Sequence, residues 1–157
     1  MLSPKAVVRL ISYWPPLLFS GIKVVDFSDD LSFVRVRLKS RFWNKNFFGT
    51  HYGGSLFSMC DPFYLFMLLQ HLNKEHIVWD LRSDIHFISA VGEPVFAEFR
   101  IEKAEIDNIR QQALENYKVT PSFSTHITTA SNMLVAKVTK TIYIRRKDAK
   151  QRFANKD

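Results

Sequence analysis

Residues 53–72 read Gly-Gly-Ser-Leu-Phe-Ser-Met-Cys-Asp-Pro-Phe-Tyr-Leu-Phe-Met-Leu-Leu-Gln-His-Leu. From residue 54 onward the apolar side chains lie around the whole helical circumference rather than along one stripe, which predicts a helix buried on every side. Pro62 lacks the amide that would bond back to Ser58, so the run also predicts a kink near 58–62. Its most apolar part, 56–69, is too short to span a bilayer and is typical of a core helix.

Six segments with strand-like patterns flank this helix in the sequence. In 31–39, for example, Val34, Val36 and Leu38 alternate with basic residues, which is typical of a strand with one face in water. The predicted strands are 22–27, 31–39, 77–90, 95–103, 122–130 and 133–145. One face of a six-stranded antiparallel sheet wrapped around the helix would bury both, so the pattern predicts an α+β fold.

Two shorter helical signals and one loop complete the prediction. A serine followed by a proline begins a short helix over 4–14, and the Pro15-Pro16 pair ends it. Apolar residues also recur at helical spacing in 106–117. Residues 40–54 show no period and contain three glycines, so we expect a long loop before the central helix.

The length of the chain and the distribution of its charge predict one domain with a basic tail. The chain has 157 residues and a net charge of +7. We expect a single domain over 1–147 and a tail over 148–157. Six basic and two acidic residues in 145–157 leave +4 there, so residues 1–144 carry only +3. Because the folded part is nearly neutral and no binding motif occurs, a nucleic-acid partner is not expected.

Several composition features narrow the class further. The single cysteine, Cys60, cannot form an internal disulfide, which favours a reduced, cytoplasmic setting. No pair of the five histidines has the spacing of a metal site, and no phosphate-binding glycine loop occurs, so no metal or cofactor is expected. Fourteen phenylalanines indicate a large-ringed core or an apolar pocket.

Asp61 is the acidic residue of the apolar run. An ionised carboxylate buried without partners is costly, so its retention predicts either a role in chemistry or a satisfied hydrogen-bond network. In the first case it acts as a general base or nucleophile in an apolar pocket. In the second, loop amides hold it.

The glycine pair at the start of the run offers a second half of a site. Gly53 and Gly54 let a substrate approach helix-end amides, which can hold a carbonyl oxygen as it becomes an oxyanion. Gly54 lies seven residues before Asp61, about 10 Å along a helix axis. One carbonyl does not easily contact both within one chain, so the spacing indicates that two chains of a symmetric dimer contribute. Of the histidines, His51 and His86 are candidates to lie near this site.

Residues 46–61 carry a resemblance to a known family. They read Asn-Phe-Phe-Gly-Thr-His-Tyr-Gly-Gly-Ser-Leu-Phe-Ser-Met-Cys-Asp and resemble the signature of hotdog-fold acyl-CoA thioesterases of the phenylacetyl-CoA thioesterase type. The positions that match in register are Asn46, Gly49, Gly53, Gly54, Phe57 and Asp61. The family's histidine before the glycine pair is Tyr52 here, and His51 is displaced by one. Residues 138–147 resemble a less characterised hotdog branch that is grouped with thioesterases.

The resemblance implies a fold, an assembly and a chemistry. It implies a hotdog fold, a homodimer or a tetramer of dimers, and an acyl-CoA site at the dimer interface. It implies Asp61 as base or nucleophile and the Gly54 amide as the group that polarises the thioester carbonyl. Coenzyme A then enters as part of the substrate. The substrate-binding candidates are Asn46, His51, Tyr52, Gly53, Phe57 and His86.

Three functions remain open on these grounds. The first is a thioester hydrolase. The second is a non-catalytic acyl or acyl-CoA binding protein, which the change to Tyr52 favours. The third is a hydratase or dehydratase on the same fold, which needs a histidine paired with an acid, so His51 or His86 would have to serve with Asp61.

Overall fold

An antiparallel sheet of seven strands forms the frame of the molecule. The computed structural model describes residues 2–72 and 74–148, so residues 149–157 of the predicted basic tail lie outside the described residues. The strands are β1 (Ile22–Phe27), β2 (Phe33–Leu38), β3 (His76–Phe87), β4 (Val95–Arg100), β5 (Lys118–Val119), β6 (Ser122–Thr129) and β7 (Leu134–Arg146). Six of them follow the order β1-β2-β4-β6-β7-β3, and the two-residue β5 pairs with β7. The six predicted strands are therefore confirmed, and β5 is too short for an alternation pattern to reveal it.

Five helices accompany the sheet within the described residues. They are α1 (Pro4–Leu10), α2 (Pro15–Ser20), α3 (Gly53–Ser58), α4 (Phe63–His71) and α5 (Lys103–Asn116), with a 3₁₀ turn over Ile11–Tyr13. The Pro15-Pro16 pair ends the first helical segment, as predicted. It also begins α2, because proline is favoured in the first turn, where its missing amide has no intrahelical partner.

The central run is interrupted where proline predicts a kink. The amide of Asp61 bonds to the Ser58 carbonyl at 3.3 Å, and the next helical bond runs from the Phe66 amide to the Pro62 carbonyl. Residues 59–62 therefore form a break between α3 and α4. None of the helices in the described ranges has the length and apolar composition needed to cross a membrane.

The concave face of the sheet packs on these two helices. Inward residues of β2 and β7 meet Phe63, Met67 and Leu68 of α4 in one apolar core. The ring of Tyr64 stacks on Phe123 at a centroid distance of 4.8 Å, and its hydroxyl donates to the Ser124 carbonyl. This packing fixes the rotation of α4 against the sheet.

One side of the central helices stays uncovered within the single chain. Gly53, Phe57 and Leu65 are only half-buried, while Asp61 and Leu69 are exposed. These positions recur every four residues and therefore form one stripe. The expectation of a helix buried on every side is wrong for this stripe, because the sheet covers only the opposite side. The edge strand β3, which pairs with β7 on its other side, runs along the same concave face.

Candidate functional site

A pocket of about 350 Å³ opens at the start of α3. Its walls come from the loop before α3, from α3 itself and from the segment that follows β3. The lining residues are Asn46, Thr50, His51, Gly53, Leu56, Phe87, Ile88, Ser89, Ala90 and Val91. Three of the predicted site residues, Asn46, His51 and Gly53, therefore come together here.

His51 is buried in the wall of this pocket. Its side chain is held by the carbonyl oxygen of Glu93, which lies 2.7 Å from Nε2 and must accept, so Nε2 carries the proton. Nδ1 is buried and has no hydrogen-bond partner among the described residues. Burial lowers the pKa of His51, since the charged form would lose its hydration. His51 is thus a neutral imidazole that fixes the loop against the Glu93 segment.

Asn46 is committed to shaping the loop. Its Oδ1 accepts the amides of Phe48 and Thr50, at 2.9 and 3.1 Å. Its Nδ2 donates to Thr50 Oγ1 and to the His51 carbonyl. The side chain closes a tight turn that presents the following glycines, and its polar atoms are already in use.

Two aromatic rings explain why the helix begins with two glycines. A Cβ atom at Gly54 would lie 2.3 Å from the Tyr52 ring, and one at Gly53 would lie 3.1 Å from the Phe87 ring. The first helical hydrogen bonds run from the Ser55 and Leu56 amides to the Tyr52 carbonyl. The amides of Gly53 and Gly54 precede them and have no backbone acceptor within residues 2–72 and 74–148. They are the donors available at this helix end.

Asp61 lies at the break between the helices and is not buried. Its side chain is 54% exposed, so the expectation of a buried carboxylate is wrong for the single chain. The carboxylate Oδ1 accepts from Lys140 Nζ at 3.0 Å, and the same ammonium donates to the Asp61 backbone carbonyl at 2.7 Å. Oδ2 has no hydrogen-bond partner among the described residues. Lys140 therefore holds one carboxylate oxygen of Asp61, and Asp61 itself lies on the uncovered stripe.

Lys140 binds a second carboxylate, that of Asp80. Nζ lies 3.1 Å from Asp80 Oδ2, and the lysine side chain is 1% exposed. Burial raises the pKa of Asp80, although the ammonium opposes that shift. Asp80 Oδ1 is buried without a partner in the described part of the chain. One buried cation thus joins two carboxylates at the helix break.

Sequence reasoning did not identify Lys140 or Asp80. The signal for Lys140 was its place in β7, between Val138 and Ile142, where an inward-facing residue should be apolar. The register pairs Asp80 with Ile142, so it also faces inward. A buried lysine in an apolar alternation indicates that a carboxylate is paired with it.

The other predicted site residues do not all lie in this pocket or contact one another. His86 pairs with Lys137 and points to the outer face of the sheet, whereas its neighbour Phe87 points to the concave face. Asp61 does not line the pocket at the start of α3. Phe57 lies on the uncovered stripe between Gly53 and Asp61 and is half-buried. Within one chain, therefore, neither candidate histidine pairs with Asp61, and Asp61 is separated from the glycine amides. No three metal-binding side chains converge within the described ranges.

Comparison with known proteins identifies the family of this chain and proteins of similar fold. A family model described as a domain of unknown function, DUF4442, matches residues 5–144. No curated protein matches the sequence. A Pseudomonas aeruginosa protein of unknown function, described as a probable thioesterase, is similar in structure with a TM-score of 0.81. It is 19% identical, over 93% of this chain and 98% of its own.

Two further solved structures share the fold of this chain. A thioesterase of Haemophilus influenzae is 12% identical over 93% of this chain and 92% of its own, with a TM-score of 0.66. A hypothetical thioesterase of Streptococcus pneumoniae, solved with coenzyme A, is 17% identical over 87% and 97%, with a TM-score of 0.58. The predicted hotdog fold is confirmed by this shared architecture.

Proposed function

Since the chain belongs to the DUF4442 family and has a hotdog fold, we propose that it is an acyl-CoA thioesterase in which two copies of the chain complete each active site. Structural neighbours described as thioesterases support the activity. The neighbour solved with coenzyme A supports the substrate class. On this proposal coenzyme A is part of the substrate rather than a resident cofactor.

The uncovered stripe is the observation that carries the proposal. Phe57 and Leu65 are half-buried and Leu69 is 37% exposed, although all three lie on the central helices. Among the described residues the neighbouring strand β3 has one unpaired edge. It ends at Phe87, and Phe87 and the following Ile88 are both exposed. A second copy that pairs along β3 covers both features at once, since open edges and apolar stripes both favour association.

Such a pairing also brings the halves of the site together. The glycine amides and Asp61 are about 10 Å apart along the helical run of one chain. On this proposal the two-fold axis passes between the glycine pair and Asp61, so that Asp61 of one chain lies opposite the glycine pair of the other. The thioester carbonyl then binds between them, with its acyl chain in the apolar pocket beside Phe87.

The chemistry needs only a carboxylate, amide donors and water. Asp61 Oδ2 takes a proton from water, the resulting hydroxide attacks the carbonyl carbon, and the Gly54 amide stabilises the oxyanion. Alternatively Asp61 attacks the carbonyl itself, and water then hydrolyses the mixed anhydride. In either route the C–S bond breaks and the thiolate leaves with little acid assistance, because thiols have a pKa of about 8.5.

In both routes Lys140 acts as a positioning residue. It holds the Asp61 carbonyl and Oδ1 together, which fixes the side chain at the helix break. Asp80 shares the ammonium and anchors it from the strand side. Oδ2 of Asp61 remains the oxygen available to the substrate.

A non-catalytic acyl-CoA binding protein is the second candidate. The observation that favours it is Tyr52, whose ring packs on Gly54 where the resembled family has a histidine. Tyr52 is 60% exposed, so its ring shapes the approach to the glycine amides. Such a protein binds acyl-CoA and releases no thiol.

Thiol release from a panel of acyl-CoA esters tests the proposal. Wild type is expected to turn over at least one ester, and Asp61→Asn is expected to lower that rate by about 10²–10⁴ while binding survives. Asp107→Asn is the matched control, because Asp107 is also half-exposed and also paired with a cation, on α5. Binding without turnover in the wild type would instead support the second candidate.

A further inference from the structure

Several large apolar side chains are exposed to solvent on the N-terminal helices and on the loop after β2. They are Leu10, Tyr13, Trp14, Leu18, Phe19, Phe42 and Trp43, each between 48% and 88% exposed, and we call them the aromatic strip. Leu10, Tyr13 and Trp14 line one apolar groove. Phe19 and Trp43 line the pocket at the other end of the six-residue helix α2. Exposed apolar side chains of this size and number are typical of an interaction site.

The fold holds this strip outward. The Trp43 indole Nε1 donates to the Phe19 carbonyl at 3.0 Å, and the Phe42 ring packs edge-on against Trp43 at 4.9 Å. Asn44 fastens the loop to α2 by donating to the Ser20 carbonyl at 2.8 Å. Gly21 permits this approach, since a Cβ there would lie 2.7 Å from Asn44 Nδ2. These contacts hold the Phe42 and Trp43 rings on the surface beside α2.

Positive charge is concentrated in the part of the sequence that contains the strip. Residues 1–60 contain eight basic and three acidic residues, a net charge of +5, whereas residues 61–144 contain eight basic and ten acidic residues. The segment 31–60 has five basic residues and no acidic one. Two of these five lie at the strip. The Arg41 guanidinium is 5.7 Å from the Trp43 ring centre, and Lys45 lines the same pocket as Trp43.

We propose that the aromatic strip docks the protein on an anionic lipid surface. Tryptophan, tyrosine and phenylalanine settle at the boundary between headgroups and acyl chains, and exposed leucines insert below it. Arg41 and Lys45 meet the anionic headgroups, each contributing through the surface potential of the leaflet. Two copies that met through this strip would bring Arg41 and Lys45 of one copy close to those of the other, so charge disfavours a second copy as the partner. The strip borders the candidate active site, because the pocket of Phe19 and Trp43 is also lined by Tyr52. Vesicle binding is measured without substrate, so this proposal is tested separately from the catalytic assignment.

Co-sedimentation with vesicles tests it with the full chain. One vesicle set is phosphatidylcholine alone, and the other is an equal mixture with phosphatidylglycerol. Wild type is expected to bind the anionic set, less so as salt rises. Arg41→Gln with Lys45→Gln is expected to weaken binding about fivefold per charge removed. Phe19→Ser with Phe42→Ser is expected to weaken it by on the order of tenfold or more.

Leu114→Ser on α5 is the matched control, because Leu114 is 59% exposed and lies outside the strip. It is expected to leave vesicle binding unchanged, and circular dichroism checks that each variant is folded. Equal binding to both vesicle sets, or unchanged binding of folded strip variants, would overturn the proposal. So would a fall in the mass of the phenylalanine variant by light scattering, because the strip would then be an interface between copies.

Discussion

Replacing Lys140 by methionine removes the cation that joins Asp61 to Asp80. Methionine keeps an unbranched apolar stem, so the packing beside Val138 and Ile142 is retained. Three contacts are lost, at 2.7 Å to the Asp61 carbonyl, 3.0 Å to Asp61 Oδ1 and 3.1 Å to Asp80 Oδ2.

Most of the stability lost in Lys140→Met comes from Asp80. Asp61 is 54% exposed, so water replaces most of what its carboxylate loses. Asp80 is 28% exposed and its Oδ1 is already unpartnered among the described residues, so it keeps a desolvated charge. A hydrogen bond to a charged group contributes about 1.5–3 kcal/mol to stability, so we expect a loss of about 2–3 kcal/mol in the free energy of unfolding at pH 7.

Urea denaturation of four proteins measures this. The double variant Lys140→Met with Asp80→Asn is expected to regain at least half of the loss, because the uncompensated carboxylate is gone. Lys137→Met on the exposed face of β7 is the control and is expected to be nearly neutral. A folded Lys140→Met with wild-type stability would refute the reasoning, as would a double variant no more stable than the single one.

Three further predictions concern parts of the molecule outside this cluster. The pKa of His51 is lowered in the fold, so the unfolded chain binds more protons below its usual pKa of about 6.5. The free energy of unfolding of the wild type should therefore fall between pH 7 and pH 5. In His51→Gln it should fall less steeply with pH, and equal slopes in the two proteins would contradict this. Gly21→Ala should cost about 1–3 kcal/mol more than Gly49→Ala. Both glycines have a φ of +79°, but only at Gly21 would a Cβ meet close neighbours, Asn44 Nδ2 at 2.7 Å and the Lys39 carbonyl oxygen at 2.8 Å. Equal thermal shifts in the two variants would contradict this. Removing residues 148–157 should change stability by less than about 1 kcal/mol, and a larger loss in urea would show that the tail is docked.

Local patterns predicted the elements whose exposure alternates along the chain. In β2, Val34, Val36 and Leu38 are fully buried, as their alternation with arginines predicted. Pro62 predicted the break because its missing amide acts within one helical turn. The loop before α3 was likewise predicted, from its missing period and its glycines, and short-range hydrogen bonds of Asn46 set its conformation.

Features that depend on distant contacts were not predicted. Asp61 meets Lys140 across 79 positions of the sequence, so no local pattern pairs them. The exposure of Asp61 follows from how the sheet wraps around α3 and α4, which leaves one stripe uncovered. The helix α2 was missed because a proline pair both ends one helix and begins the next.

A mixing experiment tests the shared active site most directly. Asp61→Asn lacks the carboxylate, and Gly54→Val fills the space now held by the Tyr52 ring at the donor amide. Each variant alone is expected to release little thiol from the acyl-CoA that the wild type hydrolyses. After the two are unfolded and refolded together, random pairing makes half of the dimers mixed, and each mixed dimer has one site with both groups intact. We predict roughly a quarter of the wild-type rate in the mixture. A mixture no more active than the separate variants, although mixed dimers have formed, would contradict a site built from two chains.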